Sequence, residues 1–274
     1  MSIKLVAIDL DDTLLDSRHR IPPSCITAIQ RVKAQGVNII LATGRMFRAA
    51  LPYAEQLELD LPLITYQGAL VKNSSSGNVW YERPISSGLA LELIDLLELY
   101  GVDYHIYCND QIYSKKMMPV LQTHSRITGI DPIITQDILG LISRTPPLEI
   151  MAVLKDGVQL EALAAVLRER YGPALHLTPF KYNTLEIMDK HATKAKALAA
   201  VAAALRIEPQ EVMAIGDSHN DLPMIKWAGT GVAVGNAHPQ VKEAADFVTG
   251  SNDEAGVIQA LEKFITQDGQ SRYF

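Results

Sequence analysis

The apolar run Leu5-Val6-Ala7-Ile8 passes directly into Asp9-Leu10-Asp11-Asp12-Thr13, and no other stretch constrains the fold of this chain as tightly. Consecutive apolar residues of this length read as a strand buried on both faces. Such a strand belongs in a parallel sheet with helices above and below it. Its end is a set of three carboxylates. If the chain stays extended, side chains alternate, so Asp9 and Asp11 share one side and Asp12 points to the other. Close carboxylates repel unless a cation or a shared proton relieves them. The residues read as a hard-metal site of the Mg²⁺ type, with one carboxylate left to act as a nucleophile.

Both ends of the chain alternate strand and helix signals. Ile3–Ile8 is expected as a strand and Pro22–Gln35 as a helix, with prolines at its start and Gly36 beyond its end. Val37–Ala42 reads as a strand leading into Thr43-Gly44-Arg45, Met46–Leu57 as a helix and Leu61–Tyr66 as a strand. Later come helix Thr193–Leu205, strand Val212–Ile215 leading into Gly216-Asp217-Ser218, and helix Leu222–Trp227. Strand Gly231–Val234, helix Pro239–Ala245, strand Phe247–Thr249 and helix Glu254–Thr266 follow.

The middle has a different rhythm. Helix Ser87–Tyr100 precedes paired strands Asp103–Tyr107 and Gln111–Ser114. A helix near Met117–Ile127 leads to a loop-rich stretch up to Pro147. Then come strand Leu148–Leu154, helix Gly157–Tyr171 and strands near Leu175–Thr178 and Thr184–Met188. The expected organisation is one α/β core, residues 1–82 and 188–274, interrupted by an α+β insertion at residues 83–187.

Composition limits the partners. The net charge of -6 argues against a broad nucleic-acid or anionic-membrane surface, though a bound cation would still admit a small anion. No run reaches the ~18–20 apolar residues of a bilayer span. The start, Met1-Ser2-Ile3-Lys4, lacks signal-peptide features, and Cys25 and Cys108 show neither metal spacing nor a disulfide framework. A cytoplasmic protein with reduced thiols is expected. Nothing in the composition bears on oligomeric state.

Open parallel sheets bind ligands beyond the carboxyl ends of their strands. Asp9/Asp11, Thr43 and Asp217 all end predicted core strands, and Lys194 opens a predicted helix. Acids for Mg²⁺, with a hydroxyl and an ammonium for phosphate oxygens, make a phosphoryl-transfer set.

Four segments, in order, resemble the motifs of the haloacid dehalogenase superfamily of phosphatases: Asp9-Leu10-Asp11-Asp12-Thr13-Leu14, Leu41-Ala42-Thr43-Gly44-Arg45, Thr193-Lys194-Ala195-Lys196-Ala197-Leu198 and Gly216-Asp217-Ser218-His219-Asn220-Asp221-Leu222-Pro223-Met224. Val232-Ala233-Val234-Gly235-Asn236-Ala237 resembles the Cof-type subgroup. The resemblance implies a Rossmann-like parallel-sheet core with an inserted C2-type cap, whose closure excludes water and selects the leaving group. Asp9 would be the nucleophile and Asp11 the general acid and base. Asp9, Asp217 and the Asp11 carbonyl would hold Mg²⁺. Leu10, Thr43, Gly44, Arg45, Lys194 and Asn220 would meet a small phosphorylated metabolite, a sugar phosphate above all, with Asn220 and Asp221 also supporting the site from behind. A phosphomutase using the same aspartyl-phosphate, or a non-catalytic sensor of a phosphorylated metabolite, would carry the same residues.

Three positions depart from the subgroup. Asp12 stands where glycine is usual, Ala195 follows the lysine where glycine is frequent, and Thr65-Tyr66-Gln67-Gly68-Ala69 carries Gln67 in place of asparagine. The extra methylene of Gln67 moves its amide by about one bond length. His219 is not assigned as a base, since Asp11 fills that role, and Lys196 reads as solvated.

Overall fold

The computed structural model describes residues 2–180 and 183–266. The chain divides into two compact units, Met1–Tyr81 with Thr193–Phe274, and Glu82–Ala192. Among the described residues no helix is long and apolar enough to cross a membrane.

The first unit begins with β1 (Leu5–Ile8), buried at every position. α1 (Pro23–Ala34) starts on a proline, whose fixed φ suits a first helical turn. It packs on β2 (Asn38–Leu41), which is followed by α2 (Phe47–Gln56) and β3 (Pro62–Thr65). β3 meets the end of β2 through a single parallel bridge, Ala42 to Ile64. It then opens an antiparallel sheet with β4 (Leu70–Asn73) and β5 (Val79–Glu82), neither of which the sequence reading expected. The cause is a turn at Tyr66–Gly68 that reverses the chain after β3.

The second unit comprises α3 (Ser87–Leu99), β6 (Asp103–Cys108), β7 (Gln111–Ser114), α4 (Pro119–Thr128), β8 (Ile133–Ile134), α5 (Ile138–Arg144), β9 (Glu149–Val153), α6 (Gly157–Tyr171), β10 (Leu175–Phe180) and β11 (Thr184–Asp189). Its sheet has the order β10-β11-β9-β6-β7-β8 and is antiparallel except at β7–β8. Period-two alternation sends Ile106, Ile150 and Ile187 into a core with Leu93, Ile94 and Leu97 of α3 and Leu163 and Leu167 of α6. The intervening positions, among them His105, Tyr107, Glu149 and Glu186, are also buried. Burial, with Glu186 adding its charge, raises the Glu149 carboxyl well above the usual range. α5 lies in the stretch expected as loop: seven residues are too few to display helical periodicity, and its start is fixed by Asp137 accepting from the Gly140 amide. β11 runs to Asp189, beyond residue 187 where the insertion was expected to end, and stays paired with β10.

The first unit resumes with α7 (Lys194–Ala204), β12 (Val212–Gly216), α8 (Leu222–Trp227), β13 (Thr230–Ala233), α9 (Pro239–Ala244), β14 (Phe247–Val248) and α10 (Gly256–Leu261). The expected final helix is split: Ala255, at φ 61, precedes α10, and a wider turn, Glu262–Thr266, continues it. The parallel sheet has the order β14-β13-β12-β1-β2, with Leu5 opposite both Val212 and Asn38. β1 thus lies inside the sheet between β12 and β2, and Leu5 and Ala7 pack with Ile40, Ala197, Leu198 and Val201. The carboxyl ends of β1, β2 and β12 lie side by side.

Leu198 is fully buried in that core. Leu198→Ala is expected to cost about 2–5 kcal/mol, read as a lower urea midpoint with an unchanged slope.

Candidate active site

β1 hands its hydrogen-bond ladder on by one residue, the Asp9 amide donating to the Ile215 carbonyl at 3.0 Å. The chain does not stay extended after that. Leu15 N–H returns to the Leu10 carbonyl at 2.9 Å, closing a wide turn, and Asp12 sits in the left-handed region at φ 58. Asp9 and Asp11 therefore acquire different partners rather than a common side. Asp12 stands where only a few L residues are comfortable, which accounts physically for the subgroup's glycine.

Asp9 is buried, and its Oδ1 accepts from Lys194 Nζ at 2.6 Å. The same ammonium donates to Asp221 Oδ1 at 2.6 Å. Lys194 is 1% exposed, so its charge rests wholly on those carboxylates. Asp221 Oδ2 accepts from the amides of Asp217 and Ser218, both at 3.1 Å, which fixes the loop after β12. Asp217 Oδ1 accepts from Thr13 at 3.2 Å and from the Ser218 hydroxyl at 3.3 Å.

Among the described residues, Asp9, Asp217 and Asp221 bring ligand oxygens within 4.8 Å of one another. Ionised, these acids and Lys194 carry a net charge of two negatives. Burial, then the neighbouring Asp221, raises the Asp9 carboxyl well above its usual range, although Lys194 pulls it down. Burial and Asp221 push Asp217 up to about 6 against the pull of Lys194 and Thr13. Burial alone would lower the Lys194 ammonium, but Asp221 and Asp9 outweigh it and hold it protonated. Buried hard oxygen donors with this surplus charge fit a divalent cation.

Asp11 has the opposite environment. Burial raises its carboxyl, but the hydrogen bonds and charge of Arg45 outweigh that, and the net shift is downward. Arg45 grips it with two bonds, Nε to Oδ2 at 2.8 Å and Nη2 to Oδ1 at 2.5 Å. Arg45 is itself held by the Tyr53 hydroxyl at 3.1 Å and lies 5.0 Å from the centre of the Tyr53 ring.

Thr43 is buried at the end of β2, and its hydroxyl accepts from the Arg45 amide at 3.1 Å. Asn220 donates to Gln67 Oε1 at 2.8 Å, and its Oδ1 accepts from Ser218 at 2.9 Å. The Leu10 side chain is fully buried, so only its backbone is left for a ligand. His219 is engaged with Gln240 at 2.9 Å, and its ring packs against that of His238 at 4.6 Å with a 54° tilt. Sequence reasoning passed over Thr13, Ser218 and Tyr53 as partners, and marked Gln67 only as a departure. Thr13 and Ser218 lie inside the quoted motifs, a usable signal, whereas nothing local marks Tyr53.

A sequence profile of the haloacid dehalogenase-like hydrolases matches residues 6–261, almost the whole described chain. The chain belongs to that family. It is 34% identical to the protein YxeH of Bacillus subtilis (strain 168), over 96% of this chain and 98% of that one. It is 30% identical to the 5-amino-6-(5-phospho-D-ribitylamino)uracil phosphatase YcsE of the same organism, over 97% of each chain. The solved structure of the subclass IIB sugar phosphatase BT4131 matches with a TM-score of 0.80 at 26% identity, covering 96% of this chain and 98% of that one.

The folded protein holds Asp217 at a higher pKa, about 6, than the unfolded chain does. Between the unfolded value of about 3.9 and that value, the native state binds more protons, so stability falls as pH rises through this window. In chelator at pH 7, Asp217→Asn is therefore expected to melt above the wild type. Added Mg²⁺ should raise the melting temperature of the wild type and leave that of the variant unchanged. At Asp12, substitution by glycine should keep stability within about 0.5 kcal/mol, while Asp12→Val should lose about 1–2 kcal/mol, measured by urea denaturation.

Proposed function

We propose that this protein is a Mg²⁺-dependent phosphatase that hydrolyses small phosphomonoesters in the cytoplasm, sugar phosphates foremost, through an aspartyl-phosphate on Asp9. The observation that carries the reading is the contrast between two carboxylates two residues apart. Asp9 is buried against an ammonium in an over-charged acidic cluster, and Asp11 is held apart by Arg45. Environments that separate two carboxylates in this way divide nucleophile from acid–base catalyst. The sugar phosphatase BT4131 and the ribityl-phosphate phosphatase YcsE support a phosphate ester on a polyol chain. The two buried, free cysteines, Cys25 and Cys108, agree with a reducing compartment.

Asp9, Asp217 and the backbone carbonyl of Asp11 would hold the cation, which neutralises charge on the phosphoryl oxygens when bound. Asp221 stays behind this set, because both of its oxygens are already engaged, one by Lys194 and one by the loop amides. Lys194, Thr43 and Asn220 bind the phosphoryl oxygens, and Gly44 leaves room for the Gln67 side chain beside them. A carboxylate oxygen of Asp9 attacks phosphorus as the bond to the leaving oxygen breaks, and Asp11 gives its proton to that oxygen. Asp11 then takes a proton from water, whose oxygen attacks phosphorus and frees Asp9 with inorganic phosphate. The Arg45 clamp keeps Asp11 ionised, the form that the second half needs. The first half needs a protonated Asp11, and so a loosened clamp.

The deciding assay is phosphate release from sugar phosphates, nucleotides and an aryl phosphate, with Mg²⁺ and with chelator. Chelator-sensitive release is expected, strongest on sugar phosphates, and silence across the panel would sink the reading. Asp9→Asn should lower kcat by at least about 10³-fold and Asp11→Asn by about 10²–10⁴-fold, with both variants folded by circular dichroism.

A further inference from the structure

The turn after β3 combines strain with close packing in a way that neither the fold nor the chemistry above explains. Tyr66 and Gln67 are consecutive L residues with φ of 49° and 54°, and Gly68 follows at φ 104°. Backbone of this kind persists only where its surroundings hold it, and it gathers at functional sites. A Cβ on Gly68 would lie 2.3 Å from the Thr193 carbonyl oxygen, so the turn is pressed against the residue that caps α7 and precedes Lys194. Its amides reach the other way. Tyr66 N–H donates to the Arg45 carbonyl at 2.9 Å and Gln67 N–H to the Thr43 carbonyl at 3.2 Å, bracketing Gly44.

The Gln67 side chain completes the link. It is 2% exposed and lies over Gly44, where a Cβ would meet its Nε2 at 2.4 Å. Its Oε1 accepts from Asn220 at 2.8 Å, and Asn220 in turn accepts from Ser218. One buried amide thus joins the loop after β2 to the loop after β12. We propose that Gln67 is a positioning residue: it sets Thr43-Gly44 and Asn220 in register for one phosphoryl group without touching that group itself. This rests on the phosphatase reading and adds to it a residue whose amide the extra methylene carries over to Asn220.

The test is a double-mutant cycle of Gln67→Met, which keeps volume but removes the acceptor, with Asn220→Ala. Steady-state kinetics on an aryl phosphate with Mg²⁺ are read beside the melting temperature and the binding of inorganic phosphate. Gln67→Met is expected to lower kcat/KM by about ten- to a hundredfold with wild-type-like melting. The double variant should be no worse than Asn220→Ala alone, because the two residues act as one unit. Losses that multiply, or a Gln67→Met rate within twofold of wild type, overturn the proposal. If Gln67→Met does not fold, Gln67→Asn, which suits the left-handed backbone but falls one methylene short, takes its place with the same expectations. A wild type silent on aryl phosphate would remove the phosphatase reading, and the same cycle on inorganic phosphate binding would still decide the role of Gln67. A wild type that binds no phosphate overturns both.

Discussion

The Lys194 ammonium, sealed between Asp9 and Asp221, is the contact on which the rest of the first unit's site depends. A buried charge is tolerable only when it is paired and hydrogen-bonded, and losing one partner of such a pair typically costs about 3–5 kcal/mol. The pairing is therefore structural before it is chemical. It ties the first turn of α7 to the end of β1 and, through Asp221, to the loop after β12. Asp221 passes that constraint on, since its second oxygen holds the amides of Asp217 and Ser218. One ammonium thus fixes three segments that are far apart in sequence.

The same arrangement leaves a surplus of negative charge, and the surplus is unequal. Asp9 and Asp217 are driven toward protonation by burial and by each other's neighbours, while Asp11 is driven toward ionisation by Arg45. A cation held by Asp9 and Asp217 would offset that surplus, while the Asp11 side chain stays engaged by Arg45. This separation lets residues of one type, almost adjacent in the chain, take different parts in a reaction. The guanidinium that enforces it is positioned by Tyr53, from the middle of α2.

Much of this was legible because strand ends and chemistry coincide. Leu5–Ile8, Ile39–Ala42 and Val212–Ile215 are apolar runs that lead into Asp9, Thr43 and Gly216-Asp217, and a parallel sheet gathers such ends on one edge. What stayed hidden depends on backbone conformations that residue type does not announce. The left-handed Tyr66 and Gln67 turn β3 into an antiparallel sheet, so β4 and β5 had no pattern by which to be expected. The wide turn after Asp9 replaced the alternation that an extended chain would have given. The Leu10 side chain belongs to the core, which leaves only its backbone for the contact expected of it. Hydrogen bonds such as Thr13 to Asp217 join residues 204 apart in sequence and exist only once the sheet has formed.

The left-handed residues near the site share a further property: each is braced by a loop other than its own. The carbonyl of Asp12 accepts from Asn236 Nδ2 at 2.7 Å, Asn236 Oδ1 accepts from the Asn252 amide at 2.9 Å, and Asn252 donates back to the Leu15 carbonyl at 2.8 Å. Tyr66 and Gln67 are braced by Arg45, Thr43 and Asn220. Strained turns held by neighbouring loops form a ring in which no member adopts its geometry alone. Such a ring keeps ligating groups in place without rigid elements beneath each one, which is what stabilising charge at a transferring phosphoryl group requires. The segment Val234-Gly235-Asn236 then has a physical reason to lie beside Asp9 and Asp11: Asn236 holds the turn that carries them out of β1.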